Sequence, residues 1–150
     1  RSLHLLLEQH LRMNREDGQW VQVNRLQQEL QRAWSQRRAH RFEPGTWLQV
    51  EGAEAGWGRE LAALRFRMHL GDGSPGILEL SRTDAGWLFR ELALDGAEHR
   101  RLTFTRLGKI DVEADGTEWR AGEVPGAFRF RFPDLVTKEL REGFAIHAYW

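Results

Sequence analysis

The stretch Leu64-Arg-Phe-Arg-Met-His-Leu70 decides the fold: Leu64, Phe66, Met68 and Leu70 alternate with Arg65, Arg67 and His69. Successive side chains of a strand point to opposite faces, so this segment has one apolar face and one wet face. Clean alternation with charged residues marks an antiparallel sheet, because parallel strands are covered on both sides. Working outward, the same period of two recurs. Leu78 and Leu80 flank Glu79. Trp87 and Phe89 share a face, and Leu92 and Leu94 share one after a change of phase that predicts a β-bulge. Leu102 and Phe104 alternate with Arg101, Thr103 and Thr105, and Ile110 and Val112 follow. Phe128, Phe130 and Phe132 alternate with Arg129 and Arg131, then Phe144, Ile146, Ala148 and Trp150 close the chain. Asp72-Gly73, Asp95-Gly96 and Asp115-Gly116 fall between these runs and read as hairpin turns.

The first forty residues are different. From Ser2 to about Arg38 there is no proline and one glycine, with many Leu, Gln, Glu and Arg, all good helix formers. Ser2 is placed to cap the start. At about 100° per residue, Trp20, Val23, Leu26, Leu30, Ala33 and Trp34 form one core-facing stripe. Followed backwards, that stripe meets Gln19, Glu16, Arg12 and Gln9, which are polar. Leu3, Leu7 and Leu11 lie on a face rotated by more than about 90° from it. Two arrangements satisfy the pattern. In one, the helix breaks at Gly18 and both pieces pack in a single domain. In the other, one long helix rides on the sheet with its second half and projects with its first. The fold class is α+β, helix first, with residues 1–38 as a helical arm and 39–150 as an antiparallel β-sheet domain that folds with it.

Composition removes several function classes. The 150 residues carry 22 Lys plus Arg against 22 Asp plus Glu, so no net field favours nucleic acid or anionic lipid. Without cysteine there is no disulfide, thiolate metal site or cysteine nucleophile. No apolar run approaches the roughly 18 residues that span a bilayer. The chain opens at Arg1 without a methionine, and the expectation is a removed upstream segment, a membrane segment among the candidates.

The residues offer little chemistry. His4, His10, His40, His69, His99 and His147 include no i, i+4 pair and no H-E-x-x-H, so no histidine metal site is expected. None of the four serines lies in G-x-S-x-G. Ser74 sits in a Gly-Asp-Gly-Ser-Pro-Gly turn that lacks the lysine and helix of a phosphate loop. No D-x-D-x-D calcium spacing occurs, and no carboxylate pair stands out. The basic run Arg37, Arg38, His40, Arg41 sits at the helix end, where the helix dipole favours cations. Seven tryptophans, scattered and without repeat, read as core, with a stacking surface as the alternative. No catalytic residue, metal or cofactor is expected, and the chain is read as a non-enzyme.

The order of features resembles the periplasmic part of a type IV pilin-like protein, and within it the J-type minor pseudopilin of bacterial type II secretion. The segment Leu26-Gln-Gln-Glu-Leu-Gln-Arg-Ala-Trp34 resembles the family's helix, which carries leucines and an acidic residue. Gly86-Trp87, with Phe89-Arg90-Glu91-Leu92, resembles its mid-domain strands. Leu94-Asp-Gly-Ala97 and Leu102-Thr-Phe104 resemble the following strand and its approach. Asp115-Gly116, Trp119 and Val124-Pro-Gly-Ala-Phe128 resemble the turn, tryptophan and lead-in of a late strand. The family's cleavage motif and fifth-position glutamate would lie upstream of Arg1, and the segment from Phe132 to Trp150 is longer than the family's.

The resemblance implies a pilin-like fold and a structural role at the tip of a periplasmic pseudopilus. It implies a periplasmic domain, anchored in the inner membrane ahead of Arg1 before the fibre assembles. Partners would be the I-type and K-type minor pseudopilins, joined through helix packing, with the secretion pore or cargo as further contacts. The tentative partner-binding face is Leu3, Leu7 and Leu11. A minor pilin of a type IV pilus is one alternative. A small ligand-binding module using tryptophans such as Trp57 or Trp87 is another.

Overall fold

Helix α1 spans Ser2–Ser35 in the computed structural model, which describes residues 2–38, 48–55, 58–114 and 127–147. Before Asp17, the side chains described on α1 are those of Leu3, Leu6 and Leu7. Gly18 lies inside α1 and does not end it. Strands β1 (Leu48–Ala55), β2 (Gly58–His69), β3 (Pro75–Thr83), β4 (Gly86–Ala93) and β5 (Glu98–Phe104) follow. Then come β6 (Asp111–Ala114), β7 (Ala127–Arg131), a short helix α2 (Lys138–Glu142) and β8 (Phe144–His147).

All pairings are antiparallel, as the alternation with arginines requires. The eight strands run in the order β5-β4-β3-β2-β6-β7-β8, with β1 along the other edge of β2. β2 is therefore shared. Its Ala63–His69 portion pairs with β3, while Arg59 and Glu60 pair with β6. Two half-sheets result, a β1–β5 meander and a β6–β8 unit. The β1–β2 register shifts at Glu51/Gly52, leaving Ala62 without a partner. This bulge changes the phase of β2, so Leu61 and Leu64 both face the core.

The turns behave as their residues dictate. Asp72 Oδ1 accepts from Ser74 N at 2.9 Å and Ser74 Oγ at 2.6 Å, and those bonds hold its carboxyl below the usual range. Asp95 Oδ1 accepts from Ala97 N at 2.9 Å. Asp115-Gly116 lies outside the described residues, as do Ala148 and Trp150. The register shift between Glu91 and Leu92 leaves His99 of β5 without a partner, so the irregularity falls on β5; β4 itself pairs β3 without a shift and keeps its phase through Glu91, and the phase change expected within β4 is not found.

One side of the sheet carries the core. Val23, Leu26, Leu30, Ala33 and Trp34 of α1 pack on Leu64, Phe66, Leu78, Leu80, Trp87, Phe89 and Phe104 of the meander, and on Phe128, Phe130 and Ile146 of β6–β8. Two expectations need correction. Among the described side chains a long N-terminal helix packed on the sheet is not found: the part seen to pack is short, within Asp17–Ser35, and Val23 is its first core residue. The physical reason is the polar run Gln9, Arg12 and Glu16 in the phase that would have to be buried. Trp20, placed on the core stripe, is 41% exposed, because it sits at the margin of that stripe, about 60° from Val23.

Helix α2 was not anticipated. Thr137 caps it, its side chain accepting from Leu140 N at 3.2 Å, and Gly143 ends it with φ 68°.

Candidate assembly surface

α1 presents apolar side chains on two sides. Leu3 is 80% exposed, and Leu6 and Leu7 are more than half exposed. Val21, eighteen residues or about five turns beyond Leu3, projects in the same direction and is 68% exposed. Trp20 lies beside it. Among the described residues the exposed large hydrophobics are Leu3, Leu6, Leu7, Trp20, Val21, Leu94 and Val136. Five of them belong to α1, and Val136 N donates to Gln19 Oε1 at 3.1 Å, which ties its loop to the same helix. Exposed apolar surface is thus concentrated along α1. Of the three leucines expected to bind partners, Leu3 and Leu7 are exposed on α1, and the side chain of Leu11 lies outside the described residues.

The docked half of α1 is fixed by polar contacts on both flanks. On one flank, Glu29 is only 8% exposed, and Arg100 of β5 grips both its carboxylate oxygens, with Nη2 to Oε1 at 2.7 Å. Arg25 and Arg32 add bonds at 3.3 and 3.2 Å, and Arg32 also reaches Glu91 of β4, which is 5% exposed. Burial pushes the Glu29 carboxyl up, but hydrogen bonds from Arg100 and Arg32, with their charges, outweigh it and hold it below the usual carboxylate range. Burial alone would lower Arg32, yet its bonds to Glu91 and Glu29 raise it.

On the other flank Trp34 joins the half-sheets. Its ring meets Phe66 of β2 edge-on at 5.1 Å and Phe128 of β7 at 5.3 Å, and Nε1 donates to His147 O at 3.2 Å. Nearer the start of the docked half, Gln22 Oε1 accepts from Arg106 N at 2.8 Å. The Arg106 guanidinium lies over Gly18, in space that a Cβ there would enter. The glycine read as a candidate break is a seat for the β5–β6 connection.

Other residues singled out in the sequence go elsewhere. Arg37 caps the helix, donating from Nη1 to Trp34 O at 2.9 Å with its guanidinium 4.8 Å over the Trp34 ring, and burial lowers its pKa. His40 and Arg41 lie outside the described residues. Trp87 is fully buried and donates to Gly108 O at 2.6 Å, so it offers no stacking surface. Trp47, Trp57, Trp119 and Trp150 lie outside the described residues. Among the described residues, no three His, Asp or Glu side chains are grouped to hold a metal ion, and no helix is long and apolar enough to cross a membrane.

Sequence reasoning missed Glu29 and Glu91 as buried acids. Both interrupt an apolar face, Glu29 next to Leu30 and Glu91 in phase with Trp87 and Phe89, and that interruption was the available signal. No family model, curated protein or solved structure matches the chain.

Proposed function

We propose that this chain is a non-catalytic assembly component whose interface is the outward face of α1, and that it acts as a minor pseudopilin at the tip of a type II secretion pseudopilus. The observation that carries the reading is the exposure of Leu3, Leu6, Leu7 and Val21 on a helix that packs on the sheet through Val23, Leu26, Leu30, Ala33 and Trp34. Apolar side chains at helical spacing bury themselves against another helix. The resemblance in sequence supplies the partners: I-type and K-type minor pseudopilins, with the pore or cargo beyond them. It also supplies the setting, a periplasmic domain anchored in the inner membrane through a half-helix ahead of Arg1. A minor pilin of a type IV pilus would use the same face.

The test is the triple substitution Leu3→Asp, Leu7→Asp, Leu11→Asp, with binding to purified I-type and K-type periplasmic domains as the readout. The expected result is lost binding with a nearly unchanged thermal midpoint. A large fall in the midpoint would place these leucines in an intramolecular core and defeat the reading.

A further inference from the structure

The half-sheets meet along β2 at two register pairs, Arg59↔Val112 and Glu60↔Asp111, beside one further backbone bond from Leu61 N to Ile110 O at 2.8 Å. The second pair sets two carboxylates opposite one another, which is destabilising when both are ionised. Their surroundings balance one of them and not the other. Arg82 of β3 reaches Glu60 at 3.2 Å. Arg131 of β7 is the register partner of Asp111, yet its Nε turns to Glu113 at 3.3 Å. Asp134, from the turn after β7, accepts from Lys109 N at 2.9 Å and brings another negative charge. Lys109 favours the ionised Asp111, but burial first, then the charges of Glu60, Glu113 and Asp134, raise its carboxyl above the ordinary range.

The core between the half-sheets is also incompletely filled. A gap of about 10 Å³ is lined by Leu30, Trp34, Leu64, Phe66, Phe128, Phe130 and Ile146, from α1, β2, β7 and β8. Its wholly apolar lining gives a water no partner.

We propose that the β2–β6 joint is a proton-sensitive hinge, loosened when Asp111 carries its charge opposite Glu60 and tightened when Asp111 takes up a proton. A narrow joint of two pairs leaves one repulsive contact with a large share of its strength. The gap leaves the packing between the half-sheets slightly short of close contact at that point. Because Phe128 and His147 O both contact Trp34, a shift of β6–β8 is felt at the end of α1. The inference is independent of what α1 binds.

Hydrogen exchange at the Leu61 amide reads the joint directly, with amides of the β3–β4 pair as the control. Expressed as protection factors, which remove the intrinsic pH effect, Leu61 protection should rise about two- to fivefold between neutral pH and about pH 4.5, while β3–β4 stays level. Asp111→Asn should show the raised protection already at neutral pH, and Glu60→Gln should do the same should Asp111→Asn fail to fold. A flat wild-type profile at Leu61 overturns the proposal. So does a folded Asp111→Asn protein with wild-type or lower protection there at neutral pH.

Discussion

Arg100 of β5 holds both carboxylate oxygens of Glu29, a residue 71 positions earlier in the chain, and this pair fastens the docked half of α1 to the far edge of the meander. The geometry is bidentate, which suits a guanidinium and gives direction as well as strength. Glu29 is buried and Arg100 is about one-third exposed, so solvent screens the pair in part. Glu29→Ala should cost about 1–3 kcal/mol in urea denaturation, since it removes the bidentate partner of Arg100 and leaves Arg32 with Glu91 alone of its two acids. Arg25→Ala, at a side chain that is half exposed, should cost about 0.5 kcal/mol or less. Equal costs would show that the network does not hold the helix.

Acid should weaken the fold through the same carboxylates. On the opposite face of the sheet Glu79 is held by Arg65, at 2.7 Å, and by Arg90. Burial raises its carboxyl, but the two arginines win and, like Glu29, it titrates below the ordinary range. A lowered folded pKa means stability that is present above the unfolded value and is lost as pH falls through the folded one. The urea midpoint should therefore fall below about pH 4. Combining Glu29→Gln with Glu79→Gln should flatten that fall, and an unchanged slope would assign it to other groups.

Two glycines should respond to alanine with opposite signs. At Gly18 the atoms nearest to an added Cβ belong to the Arg106 side chain, which can swing aside, while alanine favours the helix by about 1 kcal/mol. Gly18→Ala should leave stability unchanged or raise it by up to about 1 kcal/mol. Gly143 has φ 68° and its Cβ position meets Phe130 O, so Gly143→Ala should cost about 2 kcal/mol or more. Thermal melts of the two variants decide both signs.

Trp34 joins α1 to both half-sheets, and its two contributions separate by substitution. Trp34→Phe keeps most of the ring contact with Phe66 and Phe128 but loses the bond to His147 O, a change of about 1 kcal/mol. Trp34→Ala should cost about 3–5 kcal/mol. Equal effects on β2 and β7 in amide exchange are expected for the alanine variant, and an effect confined to one half-sheet would deny it the joining role.

The strands were legible because their exposed faces carry arginine, and few other patterns produce Leu64, Phe66 and Met68 separated by Arg65 and Arg67. The phase change read between Phe89 and Leu92 is not made by β4, whose alternation continues through Glu91, and the extra residue is His99 of β5. The sequence pattern points to an apolar residue at the next core position after Phe89, but that position holds Glu91, and its pairing with Arg32, 59 residues away, makes the burial tolerable. Trp20 was misplaced because periodicity gives the direction of a side chain but not the width of the sheet beneath it. α2 escaped notice because five residues are too few for a periodic signal, although its Thr137 and Gly143 caps stood in plain sight.

The long sequence separations across the α1 contacts set a timetable for synthesis. Glu91, Arg100 and the His147 carbonyl lie 59, 71 and 113 residues after their α1 partners. At about 5–20 residues per second, a ribosome needs roughly 6–23 s between Trp34 and His147. Throughout that interval Val23, Leu26, Leu30 and Trp34 have been made and the sheet that covers them has not. Through that interval the nascent chain carries a bare amphipathic helix, a segment on which a chaperone can act.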